Sequence, residues 1–206
     1  MLDALILQCA PDVAHSTMAA IVKVESGGHP WVINDNTVKG SSKFSSKDEA
    51  VTEAKKRIAL GRSIDMGLAQ INSSNLKRLN LTVDQVFDPC TNLNAGSKIL
   101  IEFYARAASK YGPGKEALFH ALSGYNTGSL YKGEKYVRRV VSAATGGKND
   151  LISLNFTQAA TVSQQPLPRT QQILFFNSPQ DSASLVKEAV ETFEPSLNER
   201  QMFVAF

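Results

Sequence analysis

Glu25 stands where an acid is least expected. Met18, Ile21, Val22 and Glu25 recur at i, i+3, i+4 and i+7, one face of an α-helix. Gly27-Gly28 then stops the helix, so Glu25 falls in its last turn. The partial negative charge of a helix C-terminus disfavours a carboxylate there. Burial on the apolar face disfavours it too, and both effects raise the pKa. A carboxyl group still protonated near neutral pH is what a general acid needs to protonate a glycosidic oxygen. Helix geometry alone also allows a glutamate that swings out to water. Tyr125 ends a second apolar stripe, formed by Leu118, Ala121 and Leu122. The three histidines, His15, His29 and His120, lack the third orienting group of a nucleophilic triad and read as structural. Trp31 reads as a packing residue.

The elements that must position these residues can be sketched from pattern. Residues 13–26 form the Glu25 helix, with Ser16 or Thr17 available to cap it. Trp31-Val32-Ile33, the turn-rich Asn34-Asp35-Asn36 and Thr37-Val38 suggest a small β-hairpin. Residues 48–60 read as a surface helix, acidic at its start and basic near its end. Gly61 to Ile71 forms a loop entering a short helix, and Asp88-Pro89 opens a new element. Ile99, Leu100, Phe103 and Ala107 mark one face of a helix over 92–111. Helices over 115–126 and about 134–145 follow. Residues 155–182 turn rich in Gln, Ser, Thr, Asn and Pro, as a linker or tail does. Val186, Ala189, Val190 and Phe193 could make one short amphipathic helix there, docking on its own domain. The expected division is a domain over 1–146 and a polar linker and tail over 147–206.

The chain has 206 residues and is 43% hydrophobic, enough for one compact domain with a core. The net charge is +3, from 22 basic and 19 acidic side chains. That excess suits an anionic polymer such as the cell wall without singling one out. No Lys/Arg block offers a nucleic-acid footprint, and no apolar run is long enough for stable membrane insertion. Cys9 and Cys90 lie in no C-x-x-C pair and have no histidine at ligand spacing, so no metal or other cofactor is expected. A long-range disulfide and two buried thiols both remain open on composition. The first residues carry no recognisable signal peptide, since Asp3 interrupts a short apolar run.

Three segments sharpen this picture: Glu25-Ser26-Gly27-Gly28, then Gly67-Leu68-Ala69-Gln70-Ile71-Asn72, then Ala121-Leu122-Ser123-Gly124-Tyr125-Asn126-Thr127-Gly128. In this order they resemble the lysozyme-like lytic transglycosylases, and most closely the subgroup associated with type IV secretion and conjugation. The resemblance covers roughly residues 7–142. It implies a mainly α, lysozyme-like domain of the goose-type or soluble lytic transglycosylase kind, with at most a small β-hairpin. It implies Glu25 as the single catalytic acid/base and Ser26 as a neighbour that orients the carboxyl and contacts substrate. Gln70 and Asn72 match the loop lining the glycan groove, Tyr125 the tyrosine whose hydroxyl bonds the catalytic carboxyl, and Asn126 its groove neighbour. Ala69 departs from the residue often found mid-loop. The subgroup also has a cysteine pair where Cys9 and Cys90 stand, which favours the disulfide.

The resemblance further implies cleavage of peptidoglycan glycan strands at the MurNAc-GlcNAc β-1,4 bond, with the substrate's own groups replacing a second carboxylate. Partners would be secretion or conjugation components, and the location periplasmic. No second acid lies inside the three segments. Asp65, two residues before Gly67, is the nearest, and reads as loop-structuring. Two other functions stay in view. One is a goose-type lysozyme that hydrolyses the same bond with water. The other is a wall-binding assembly factor with vestigial activity.

Overall fold

The computed structural model describes residues 1–147. The suggested tail and its helix over 186–193 lie outside the described residues. The elements run α1 (Leu2–Cys9), α2 (His15–Glu25), β1 (Val32–Asp35), β2 (Gly40–Lys43), α3 (Lys47–Ala59), β3 (Ile64–Met66) and β4 (Ile71–Asn72). A 3-10 turn at Ser73–Asn75, α4 (Val83–Val86), α5 (Pro89–Tyr111), α6 (Lys115–Thr127) and α7 (Glu134–Ala144) follow. The fold is mainly helical, as expected. No helix among the described residues is long and apolar enough to cross a membrane.

Local chemistry accounts for the helix boundaries. Asp88 caps α5 by accepting from the Thr91 N–H at 2.8 Å, and Pro89 occupies the first helical position. Ser46 caps α3, and Thr82 with Gln85 forms a reciprocal capping box on α4. Helix α2 starts at His15 with Ala14 at the N-cap position, so neither Ser16 nor Thr17 is its cap. It ends at Glu25 because Gly27 and Gly28 both take positive φ.

Helix α5 is the spine. It packs along α6, α1 lies against it, and α2 packs on α7. Ile6, Met18, Ile21, Leu93, Leu100, Leu118, Leu122 and Val137 meet in a continuous buried core. A disulfide between Cys9 and Cys90, with Cα atoms 5.2 Å apart, ties the end of α1 to the start of α5.

The expected hairpin is present and extends into a four-stranded antiparallel sheet of order β2-β1-β3-β4. Asp35 makes its turn: one carboxylate oxygen accepts from the backbone of Thr37 and Val38, and the other accepts from Arg62. The added strands have three and two residues, too short to show a period in sequence. The register aligns Ser41 with Asn34, Asn34 with Asp65, and Asp65 with Asn72. A row of polar side chains therefore crosses the sheet.

Candidate active site

That polar row is one wall of a cleft of about 980 Å³. Ser41, Asn34, Asp65 and Asn72 line it from the sheet, together with Asn36. The facing wall comes from α5, whose Ile99, Glu102, Phe103 and Arg106 recur at i, i+3, i+4 and i+7. The end of α6 adds Tyr125, Asn126 and Thr127. The stripe read from sequence on α5 thus divides: Leu100 and Ala107 enter the core, while Ile99 and Phe103 border the cleft.

Glu25 lies between the walls. Burial raises its pKa from an ordinary 4.5 to about 7, with the negative charge of Asp65 adding to the rise. The Tyr136 hydroxyl and the charge of Arg139 oppose it and do not cancel it. The carboxyl therefore holds its proton near neutrality and still ionises within reach of physiological pH.

Asp65 lives in a different environment. Asn72 donates its amide to one Asp65 oxygen at 2.6 Å, and Asn36 donates to the other at 2.8 Å. The cleft thus pairs a desolvated acid with a carboxyl group held by two side-chain amides. Sequence reading left Asp65 as a loop residue because strand β3, which turns it into the cleft, was not visible.

The hydroxyl of Tyr125 donates to the Ala69 carbonyl at 2.6 Å. It does not donate to Glu25, contrary to expectation. The phenol that faces Glu25 is Tyr136 on α7, which sequence reading passed over. The Tyr136 hydroxyl is buried and has no well-formed hydrogen bond among the described residues, yet it is close enough to Glu25 to stabilise its charged form. Burial and the Glu25 charge push both phenols well above the ordinary tyrosine range, so both stay protonated. The signal for Tyr136 was its place one residue before the Val137, Val140, Val141 stripe, on a helix that packs on α2.

Ser26 also departs from expectation. Its hydroxyl donates to the Val22 carbonyl and accepts from the Gly28 N–H. It is buried at the end of α2, outside the cleft lining. It shapes the turn that presents Glu25.

Gln70 and Asn72 both reach the cleft. Gln70 holds a positive φ of 50°, uncommon for a residue with a side chain, and its amide donates to the carbonyls of Gly67 and Val32. The buried amide of Asn92 holds this turn from behind. It donates to the carbonyls of Met66 and Val86 and accepts from the Ala69 N–H at 2.7 Å. A side chain at Gly67 would run into Asn92, so glycine is required there for space as well as for its φ of 78°. Asn92 was not singled out from sequence; its signal is a polar residue in register with the inward-facing Gly96 and Ile99.

None of the histidines reaches the cleft. His120 is buried, with Nδ1 2.7 Å from the Leu130 carbonyl and its ring stacked on Tyr111. Trp31 packs against the core edge, as expected. Among the described residues no group of three or more His, Cys, Asp or Glu side chains is placed to hold a metal ion. The chemistry available is proton transfer by one desolvated acid in a polar trench.

Residues 5–144 match the Transglycosylase SLT domain family. The chain is 44% identical over 146 residues to the type IV secretion system protein virB1 of Brucella abortus, covering 66% of this chain and 61% of that protein. It is 40% identical over 139 residues to protein virB1 of Rhizobium radiobacter, covering 66% and 58%. Against protein virB1 of Agrobacterium fabrum it is 38% identical over 145 residues, covering 66% and 56%. The chain thus spans about three-fifths of the length of these curated relatives. No solved structure matches it significantly. With a family match that takes in Glu25, the Gly67–Asn72 turn, Tyr125 and Tyr136 together, this chain belongs to the transglycosylase SLT domain family.

Proposed function

We propose that the protein is a peptidoglycan lytic transglycosylase that cleaves the MurNAc-GlcNAc β-1,4 bond and leaves a 1,6-anhydroMurNAc end. The observation that carries this reading is the raised pKa of Glu25, about 7, in a cleft lined largely by polar side chains. Glu25 gives its proton to the bridging oxygen as the C1–O bond breaks. The oxygen of the 2-acetamido group of MurNAc bonds to C1 from the opposite face. The Glu25 carboxylate then takes the proton of the sugar's own 6-hydroxyl. That oxygen displaces the acetamido oxygen at C1 and closes the anhydro ring. Water is not consumed, and Glu25 ends protonated.

Gln70, Asn72, Tyr125 and Asn126 support the strand in this reading, while burial raises the proton affinity of Glu25 and Tyr136 and Arg139 temper the rise. Similarity to proteins named for type IV secretion supports a role in opening the wall for a secretion or conjugation apparatus, on the periplasmic side. The domain over 1–146 carries the chemistry and 147–206 the tail.

One observation favours a second reading. Asp65 supplies a second carboxyl group to the cleft that holds the acid. A second carboxylate permits hydrolysis by two carboxyl groups, in the manner of a lysozyme. Mass analysis of fragments from purified peptidoglycan decides between them. Anhydro ends support the lyase, reducing ends the hydrolase. Undigested wall, with assembly of the apparatus intact, would leave only a binding role.

A further inference from the structure

The cleft runs along α5 beyond the level of the Tyr125 hydroxyl. Gly96 marks that level: a side chain there would come within 3.1 Å of the hydroxyl. Arg106 lies ten residues further along the same helix, about 15 Å away at 1.5 Å per residue. Three arginines line the cleft. Arg78 is paired with Glu102 at 2.6 Å, and Arg139 donates to the Val24 carbonyl. Arg106 has neither kind of partner among the described residues. Its guanidinium instead lies 5.1 Å from the centroid of the Phe103 ring.

That arrangement is fixed from below. Phe103 rests directly on Gly124 of α6, where any side chain would collide with the ring. The ring supports the guanidinium, which is exposed and has no hydrogen-bond or ion-pair partner among the described residues. A glycan of N-acetylated sugars is neutral along its backbone and offers this cation nothing to pair with. The carboxylates of peptidoglycan lie on the stem peptides, or on the lactyl group once a stem is removed.

We propose that Arg106, seated on Phe103, is a specificity-determining residue that pairs with a carboxylate of the substrate at the far end of the cleft, and that this carboxylate belongs to a stem peptide. The inference rests on the glycan-cleaving reading above and adds what distinguishes one strand from another. Arg106 selects cross-linkable, peptide-bearing strands over bare polysaccharide. Its role is in binding, not at the reacting atoms.

The test uses the full chain carrying Glu25→Gln, so that ligands are bound and not consumed. Affinities are measured for three soluble probes: glycan strands with stem peptides, the same strands after amidase treatment, and chitin oligosaccharides of equal length. Arg106→Gln in this background is expected to reduce the preference for stem-bearing strands over chitin about fivefold, the upper range for an exposed ion pair. Arg106→Lys should keep part of that preference, and raised salt should erode it in the parent. If the effect disappears on amidase-treated strands, the stem carboxylate is the ligand. If it persists there, a carboxylate is still read, but it is the lactyl group, and the assignment to the stem is overturned. Equal loss on all three probes, or none, overturns the proposal altogether. A parent chain that binds none of the probes, with wild type that cleaves no wall, overturns the glycan reading and this inference with it. A wild type that cleaves normally while Arg106→Gln keeps its full preference overturns this inference alone.

Discussion

Tyr125 gives its only hydroxyl proton to the Ala69 carbonyl, and that 2.6 Å bond joins the end of α6 to the turn facing Glu25. The two walls of the cleft are therefore latched together beside the acid. Gly96 makes room for the latch: a methyl group there would lie 2.7 Å from Ala69 Cβ and 3.1 Å from the Tyr125 hydroxyl. Gly96→Ala is expected to cost about 1–3 kcal/mol by overpacking. It should also lower wall cleavage, because the tightest contact is Ala69 Cβ, on the turn that carries Gln70 and accepts the Tyr125 bond. Denaturant unfolding and a turbidity assay on purified peptidoglycan check both parts.

Glu25→Gln removes the proton donor while keeping shape. Cleavage is expected to fall by about 10²–10⁴-fold, the range of a lost general acid/base. Stability should move the other way. The folded pKa of Glu25 is raised, so below about 4.5 both folded and unfolded chains carry the proton and the residue costs nothing. From there to about pH 7 the unfolded chain loses the proton first, and the fold pays an increasing penalty. Above pH 7 the penalty is complete, at most about 3 kcal/mol and less because the residue is partly open to the cleft. Glu25→Gln should therefore be more stable than wild type at pH 8 and no more stable at pH 4, as thermal unfolding at the two pH values will show.

The pH dependence of kcat/KM should carry an alkaline limb near 7, where Glu25 loses its proton. Neighbouring substitutions should move that limb in opposite directions. Tyr136→Phe removes a group that lowers the pKa and shifts the limb upward. Asp65→Asn removes a charge that raises it and shifts the limb downward. A Tyr125→Phe variant that moved the limb as far as Tyr136→Phe would contradict the assignment of Tyr136 as the facing phenol.

Asn92 closes three hydrogen bonds inside the core behind the Gly67–Asn72 turn. Asn92→Leu would leave those backbone groups buried without partners, at about 1–3 kcal/mol for each unsatisfied group. A loss of at least about 3 kcal/mol in chemical denaturation is expected, with reduced binding of glycan fragments because Gln70 and Asn72 ride on the same turn.

What the amino-acid order made legible follows from period and punctuation. The apolar stripe ending in Glu25 and the double glycine after it located the acid before any coordinates did. Helix α5 announced itself through Asp88-Pro89 and a long stripe. Strands β3 and β4 stayed hidden because two or three residues hold no periodicity and acquire their extended form from pairing with β1. Asp65 was undervalued for the same reason. The exchange of Tyr125 for Tyr136 as the phenol facing Glu25 depends on how α7 docks against α2, a tertiary relation that no local pattern encodes. The local hydrogen bonds of the Ser26 hydroxyl depend on the turn geometry after Glu25, which sequence does not give.

The bond between Cys9 and Cys90 bridges a sequence separation of 81 residues, and the enclosed segment holds Glu25, the whole sheet and the Gly67–Asn72 turn. Closing so long a loop in the unfolded chain is worth about 4–5 kcal/mol on chain-entropy grounds. A reducing milieu withdraws that contribution and an oxidising one restores it. The trench around Glu25 is thus at its sturdiest only where thiols are spent.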